Sequence, residues 1–96
     1  MKFKIEFSEE KNLLLKALRG ISFDEAKKAI EENGVLDDID HFNQKQYPNQ
    51  RILIVVINQY VYAIPYVIDK VRKVMFLKTI YPNRILTKKY LKGGKK

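Results

Sequence analysis

The sequence of 96 residues contains no cysteine and only one histidine. Without cysteine, the chain forms no disulfide, binds no metal through thiolates and has no cysteine nucleophile. One histidine is also too few for the common structural zinc sites. No apolar run approaches the roughly 20 residues of a membrane-spanning helix, and the first residues lack the apolar segment of a signal peptide. We therefore expect a cytoplasmic protein with no cofactor, no bound metal and no membrane contact.

The charges are segregated along the chain. Residues 1–40 carry 7 Lys/Arg and 10 Asp/Glu, whereas residues 41–96 carry 12 Lys/Arg and a single carboxylate, Asp69. A surface of such one-sided charge attracts polyanions by counterion release, and it also attracts acidic proteins. Runs of charge are usually only solvated. Here the basic residues are interspersed through predicted strands, which favours a binding face.

The first third of the chain predicts one strand and two helices. Residues 1–7 alternate apolar and charged side chains, as a half-buried strand does. Ser8 then caps a helix that ends at Arg19-Gly20, and three leucines are expected to form its packing stripe: Leu14, Leu15 and Leu18. A second helix starts at the capping box Ser22–Glu25 and ends at Asn33-Gly34.

The rest of the chain predicts mostly strands. A short segment of mixed character, 35–40, and a polar loop precede the apolar run Arg51–Ile57, which is typical of a strand covered on both faces. Asn58-Gln59 predicts a tight turn into a strand over 60–68. Pro65 predicts that this strand is bulged or lies at a sheet edge. A last strand is expected over 74–81.

Arg84 to Leu91 predicts one or two turns of basic helix, and residues 93–96 a disordered basic tail. We therefore predict one domain, residues 1–92, of the α+β class. Its two N-terminal helices are expected to pack on one face of a mainly antiparallel sheet.

Three residues near the C-terminus are candidates for RNA chemistry. Cleavage without a metal requires removal of the 2′-hydroxyl proton, protonation of the leaving 5′-oxygen and stabilisation of the added phosphorane charge. Arg84 is the first candidate because a guanidinium matches a phosphate. Lys78 interrupts an apolar run and is a second phosphate contact, and Tyr81 is a donor or a stacking surface. The alternatives are an exposed tail arginine, a solvated lysine and a core tyrosine.

Two further catalytic candidates lie earlier in the chain. Histidine is the residue type whose ordinary pKa lies nearest neutrality, and His41 is the only histidine. Arg19 is expected to reach the same sheet face from the first helix, although a helix C-terminus also favours a cation by itself. The acidic run 37–40 next to His41 offers oxygen ligands for Mg²⁺, but it lacks any defined metal spacing, and we predict no metal site.

A second set of residues is expected to bind nucleic acid without taking part in the chemistry. All but one are cations, and the exception is an aromatic side chain near the C-terminus. The set consists of Lys16, Arg51, Lys88, Lys89 and Tyr90.

The order of these segments resembles the BrnT-like toxins, which are small RelE-related ribonucleases. The resemblance is carried by Phe7 to Leu18, by Arg19-Gly-Ile-Ser-Phe-Asp-Glu-Ala26, and by Lys78 to Arg84 followed by Lys88-Lys-Tyr90. Arg19 stands where the family has a histidine, and Lys78 where its closing segment has its first arginine. The resemblance implies a RelE/BrnT-like sheet with helices on one face, growth-arresting RNA cleavage without a cofactor, and an acidic ribbon-helix-helix antitoxin as partner.

Two other interpretations of the sequence remain open. The first is a non-catalytic module whose basic region holds nucleic acid or an acidic protein. The second is a structural subunit that uses Tyr60, Tyr62 and Tyr66 as an interface.

Overall fold

The computed structural model of the chain describes residues 3–92. The predicted tail, 93–96, lies outside this range. The chain belongs to the α+β class, as predicted. Its strands are β1 (Lys4–Phe7), β2 (Val35–Asp40), β3 (Arg51–Ile57), β4 (Tyr60–Asp69), β5 (Val74–Leu77) and β6 (Tyr81–Pro82). Its helices are α1 (Glu9–Arg19), α2 (Phe23–Glu31) and α3 (Arg84–Thr87), and α3 continues as a π-helical segment, Lys88–Lys92.

The strands form one mixed, mostly antiparallel sheet. Their order is β1-β5-β4-β3-β2, and β6 pairs with the other half of β4. Only β1 and β5 run parallel among the described strands, with Ile5 opposite Met75. The segment 35–40, which the sequence left undefined, is the edge strand β2.

The predicted last strand, 74–81, is wrong because residues 78–80 leave the sheet between β5 and β6. In an antiparallel pair, hydrogen-bonded residues exchange two bonds. The Lys78 N–H donates to the Pro65 carbonyl at 2.8 Å, but proline has no N–H with which to complete the pair. Pro65 therefore ends the pairing of β5 with β4 after Leu77. Strand β4 itself continues through Pro65, which lies opposite Ile52 of β3.

One face of the sheet shares a hydrophobic core with α1 and α2. Phe23, Ala26 and Ile30 of α2 are buried there, as the helical spacing predicted, and Phe23 stacks on Phe7 at 5.0 Å. The expected leucine stripe of α1 is wrong, because only Leu15 enters the core. Leu14 and Leu18 are exposed instead.

The opposite face of the sheet is covered by the C-terminal helix. Side chains of a strand alternate between faces, so Ile52 and Ile54 of β3 lie opposite the core shared with the helices. They pack in a second cluster with Leu86, Tyr90 and Leu91. The strand Arg51–Ile57 is thus covered on both sides, as predicted. No helix within residues 3–92 is long and apolar enough to cross a membrane.

Candidate functional site

Two side chains of α1 donate hydrogen bonds to backbone carbonyls in the gap between β5 and β6. The ammonium group of Lys11 donates to the Lys78 carbonyl at 2.9 Å, and this carbonyl is the one that Pro65 leaves without a partner. Arg19 donates to the carbonyl of Ile80. Lys11 and Arg19 are eight residues apart, slightly more than two helical turns, so they reach the gap from one side of α1.

A cleft of about 430 Å³ opens beside this gap. It brings together three of the five predicted catalytic residues, His41, Lys78 and Tyr81. The other described residues that line it are Lys11, Tyr47, Gln50, Pro65 and Thr79, and none of the eight is an aspartate or a glutamate. Two lysines, a histidine and a tyrosine thus line the cleft without a carboxylate, a combination that suits an anion.

His41 is held by the loop that forms one wall of the cleft. Its backbone N–H donates to the Gln50 carbonyl at 3.1 Å, and its Nδ1 accepts from the Asn43 N–H at 3.0 Å. The ring lies 4.6 Å from that of Tyr47. Because Nδ1 is an acceptor, the heavy-atom geometry assigns the proton of the neutral ring to Nε2. The Nε2–H is then the group of the ring that is available to donate a hydrogen bond.

The cations and the phenol of the cleft keep their donor character. Lys78 Nζ lies 5.6 Å from the centre of the Phe76 ring. Within residues 3–92, no ion pair involves Lys11, Arg19 or Lys78. Burial raises the pKa of Tyr81, so its phenol stays protonated at neutral pH and is available as a hydrogen-bond donor.

Arg84, the first candidate of the sequence analysis, does not line the cleft. It is exposed in the first turn of α3, which Asn83 caps by accepting from the Leu86 N–H at 2.9 Å. Lys88 and Lys89 are exposed on the same C-terminal helix. Lys16 is also exposed, and its Nζ lies 4.0 Å from Asp24 Oδ2. These residues form no single site with His41.

Arg51 and Tyr90 are engaged by the acidic run of β2. Arg51 Nε contacts Asp38 Oδ1 at 3.1 Å, and its other nitrogens bond Asp40 and the Asp38 carbonyl. The hydrogen bond with Asp38 raises the pKa of Arg51, and the bond that Tyr90 donates to Asp37 raises the pKa of Tyr90. Arg51 is thus paired with carboxylates, which leaves it little capacity to bind phosphate.

The carboxylates of the acidic run are hydrogen-bonded within the protein. Asp38 also accepts from the hydroxyl of Tyr66 at 2.8 Å, so each of Asp37, Asp38 and Asp40 has a protein partner. Within the described residues, no three His, Cys, Asp or Glu side chains are grouped to hold a metal ion. Tyr66 is itself buried in the core, which removes it from the proposed tyrosine interface.

A larger cleft, of about 510 Å³, lies between the end of α2 and the β3–β4 turn. Its lining includes Glu25 and Glu32 against one cation, Lys28. Because carboxylates outnumber cations there, this cleft is less suited to a phosphate than the one beside Lys78. We take the smaller cleft as the candidate site for that reason.

Sequence reasoning missed Lys11, Tyr47 and Gln50. Lys11 carried a signal, because Lys11, Leu15 and Arg19 follow each other at intervals of four residues and so share one side of α1. Tyr47 and Gln50 carried none, since they lie in a loop whose course depends on its own hydrogen bonds.

Comparisons with known proteins supply no relative. No protein-family model, no curated protein and no solved structure matches the chain. The chemistry of the cleft and the pattern of the sequence are therefore what indicates a function.

Proposed function

We propose that the chain is a metal-independent endoribonuclease, the toxin of a type II toxin–antitoxin system, and that the cleft beside Lys78 is its site. The observation that carries the proposal is the grouping of His41 with two lysines in a cleft that no described carboxylate lines. We extend the proposal to the fold, with α1 and α2 packed on one sheet face in a RelE/BrnT-like arrangement.

The proposed reaction is attack of a ribose 2′-oxygen on the adjacent phosphorus. The P–O5′ bond breaks, and the products are a 2′,3′-cyclic phosphate and a free 5′-hydroxyl. A water molecule accepts the 2′-hydroxyl proton, and a second water molecule protonates the departing 5′-oxygen. The Nε2–H of His41 donates a hydrogen bond to that oxygen and stabilises the negative charge that develops on it. Lys11 and Lys78 stabilise the charge that develops on the phosphorane, and the Tyr81 hydroxyl donates to a non-bridging oxygen. Arg19 is a positioning residue, because it acts through the Ile80 carbonyl.

The loop beside His41 supports single-stranded RNA as the substrate. Phe42 is 70% exposed, and the Tyr47 ring lies at the cleft wall, 4.6 Å from the His41 ring and tilted by 41° against it. Exposed aromatic rings next to cations match unpaired bases joined by phosphates, because bases stack on the rings while the phosphates meet the cations. A continuous duplex keeps its bases stacked on one another and gains less from this loop.

A non-catalytic module that holds nucleic acid is the second candidate function. It is favoured by the exposed cations of the C-terminal helix, Arg84, Lys88 and Lys89, which lie outside the cleft. Such a surface binds phosphates in a salt-dependent manner and needs no acid or base.

Cleavage of single-stranded RNA by the purified chain in EDTA tests the proposal. We expect cleavage by the wild type, and a loss of roughly 10²–10³-fold in His41→Ala, the range for removal of one hydrogen-bond donor to a developing negative charge. Lys78→Ala should also lose activity. Lys70→Ala, which removes an exposed lysine from the β4–β5 turn, is the matched control and should cleave normally.

Three other outcomes contradict parts of the proposal. Salt-dependent RNA binding without cleavage, together with normal growth on induction, would favour the binding module. Activity lost in Arg84→Ala but retained in His41→Ala and Lys78→Ala would move the site to the C-terminal helix. Cleavage that EDTA abolishes would contradict the metal-independent mechanism.

A further inference from the structure

The loop 41–50, which forms one wall of the cleft, is rich in carboxamide side chains. Five of its ten residues are asparagine or glutamine: Asn43, Gln44, Gln46, Asn49 and Gln50. Three of these amides hold the loop in shape. Asn43 donates to Gln46 Oε1 at 3.2 Å and accepts from the Gln46 N–H at 3.1 Å, and Gln44 donates to the His41 carbonyl at 2.8 Å.

The side chain of Gln50 is used differently. It lines the cleft, and within residues 3–92 it takes part in none of the hydrogen bonds that hold the loop. Its backbone, in contrast, is fixed at both ends. The Gln50 N–H donates to the Tyr47 carbonyl at 3.2 Å, and the Gln50 carbonyl accepts from the His41 N–H at 3.1 Å. The cleft is therefore offered an amide donor and acceptor from a fixed position.

An aromatic ring accompanies this amide. Tyr47 is 36% exposed, lines the same cleft and is joined to Gln50 by the backbone hydrogen bond. Proteins recognise unpaired bases by stacking a ring on the face of the base and by hydrogen-bonding its edge. Tyr47 and Gln50 supply these two contacts, and Lys11 and Lys78 in the same cleft supply charge for the adjoining phosphates.

We infer that Tyr47 and Gln50 form a base site that selects an unpaired adenine. The inference rests on the proposed function in taking RNA as the ligand. Gln50 contacts the base and not the reacting atoms, so it determines specificity without a part in the chemistry.

The choice of adenine follows from the groups that the amide presents. A carboxamide carries an acceptor oxygen beside donor N–H groups. Adenine offers a donor beside an acceptor on both edges, N6 with N1 and N6 with N7. Guanine does so on its Watson–Crick edge only, because N7 and O6 on its Hoogsteen edge are both acceptors. Pyrimidines have a single ring and cover less of the Tyr47 ring.

Binding of short 2′-O-methyl RNA tests the inference without any cleavage, because the methyl group blocks the 2′-oxygen. The probes are pentanucleotides of uridine in which only the central residue varies, and fluorescence anisotropy measures their affinity for the whole chain. We expect central adenosine to bind at least roughly fivefold more tightly than guanosine, cytidine or uridine. The preference should disappear in Gln50→Ala and in Gln50→Leu, which keeps the size of the side chain. Asn49→Ala, which removes an exposed amide of the same loop from outside the cleft, is the matched control and should keep it.

A central purine riboside separates the hydrogen bond from the stacking. This base keeps both rings of adenine but lacks the 6-amino group. We expect the wild type to bind it at least roughly threefold more weakly than adenosine, as for loss of one hydrogen bond. Gln50→Ala should bind the two probes equally. Tyr47→Leu should weaken every probe, because the ring contacts the face of any base.

Several results would overturn the inference. Equal affinity of the wild type for all central bases would contradict it, as would purine riboside that binds as tightly as adenosine. An adenosine preference that persists in Gln50→Leu would assign the selection to another residue. A chain that selects adenosine through Gln50 but cleaves no RNA would refute the proposed reaction and leave the base site standing. A chain that cleaves RNA but binds all central bases alike would refute the base site alone.

Discussion

Replacing Asn12 by alanine tests whether α1 is held by polar contacts more than by its leucines. Asn12 is 2% exposed and links α1 to the start of α2. Its Oδ1 accepts from the Phe23 N–H at 2.6 Å, and its Nδ2 donates to Asp24 Oδ2 at 3.1 Å. The first bond is buried, and it satisfies one of the N–H groups that a helix start leaves without an intrahelical partner.

The expected cost of Asn12→Ala follows from these contacts. An unpaired buried N–H at Phe23 costs about 1–3 kcal/mol. The lost packing of the side chain adds about 1 kcal/mol. The bond to Asp24 adds little, because that carboxylate is largely exposed. We expect a total loss of about 2–4 kcal/mol, a large fraction of the about 5–15 kcal/mol by which a domain is stable.

Urea unfolding followed by circular dichroism measures this loss. Leu13→Ala is the control on the neighbouring residue, and because Leu13 is exposed we expect a change within about 0.5 kcal/mol. A second variant, Asn12→Asp, keeps an acceptor for the Phe23 N–H but places its carboxylate beside Asp24. That repulsion raises the pKa of the introduced carboxyl in the folded state, so the variant should lose stability as the pH rises through about 4 and above. If Asn12→Ala unfolds as the wild type does, α1 is not held in this way.

Three further changes have expected outcomes. Burial, followed by the hydrogen bond to Asp38, raises the pKa of Tyr66 to about 12. The stability that its phenol contributes should therefore be complete below about pH 10, the pKa of an unfolded tyrosine, and should be lost between that pH and about 12. The free-energy difference between wild type and Tyr66→Phe should shrink over that range, and a constant difference would refute the assignment. Gly34→Ala should destabilise by about 1–3 kcal/mol, because its Cβ would lie 2.8 Å from a backbone carbonyl oxygen of α2, and a neutral result in thermal unfolding would mean that this backbone yields. Thr87→Val removes the buried acceptor of the Val61 N–H and should cost about 1–3 kcal/mol in urea unfolding, whereas an unchanged midpoint would show that the N–H finds another partner.

Local patterns predicted the parts of the fold that local chemistry decides. Ser8 and Ser22 are the helix caps, and each side chain accepts from the N–H three residues later at 3.2 Å. Asn58 and Gln59 form the tight turn between β3 and β4, with φ of 53° and 66° at the two positions. Such caps and turns depend on a few neighbouring residues, so the sequence alone identifies them.

The candidate site depends on contacts that no local pattern contains. His41 lies after β2, Lys78 after β5 and Lys11 on α1, and only the order of strands in the sheet brings them to one cleft.

The wrong prediction of a buried stripe at Leu14 and Leu18 has another cause. Their spacing with Leu15 is typical of a core stripe, but of the three leucines only Leu15 is buried in the core that α1 shares with the sheet. Spacing identifies an apolar face without stating what that face contacts.

Pro65 connects the fold to the proposed site. Because it lacks an N–H, the carbonyl of Lys78 has no donor in the sheet, and the strand after Leu77 leaves the ladder. That carbonyl accepts from Lys11 instead, which fixes α1 beside the gap. The same gap opens the cleft that contains His41, and the position of α1 leaves its leucine stripe at the surface. A residue with an N–H at position 65 would complete the pair with Lys78, so that the strand would continue and the gap beside which the cleft opens would close.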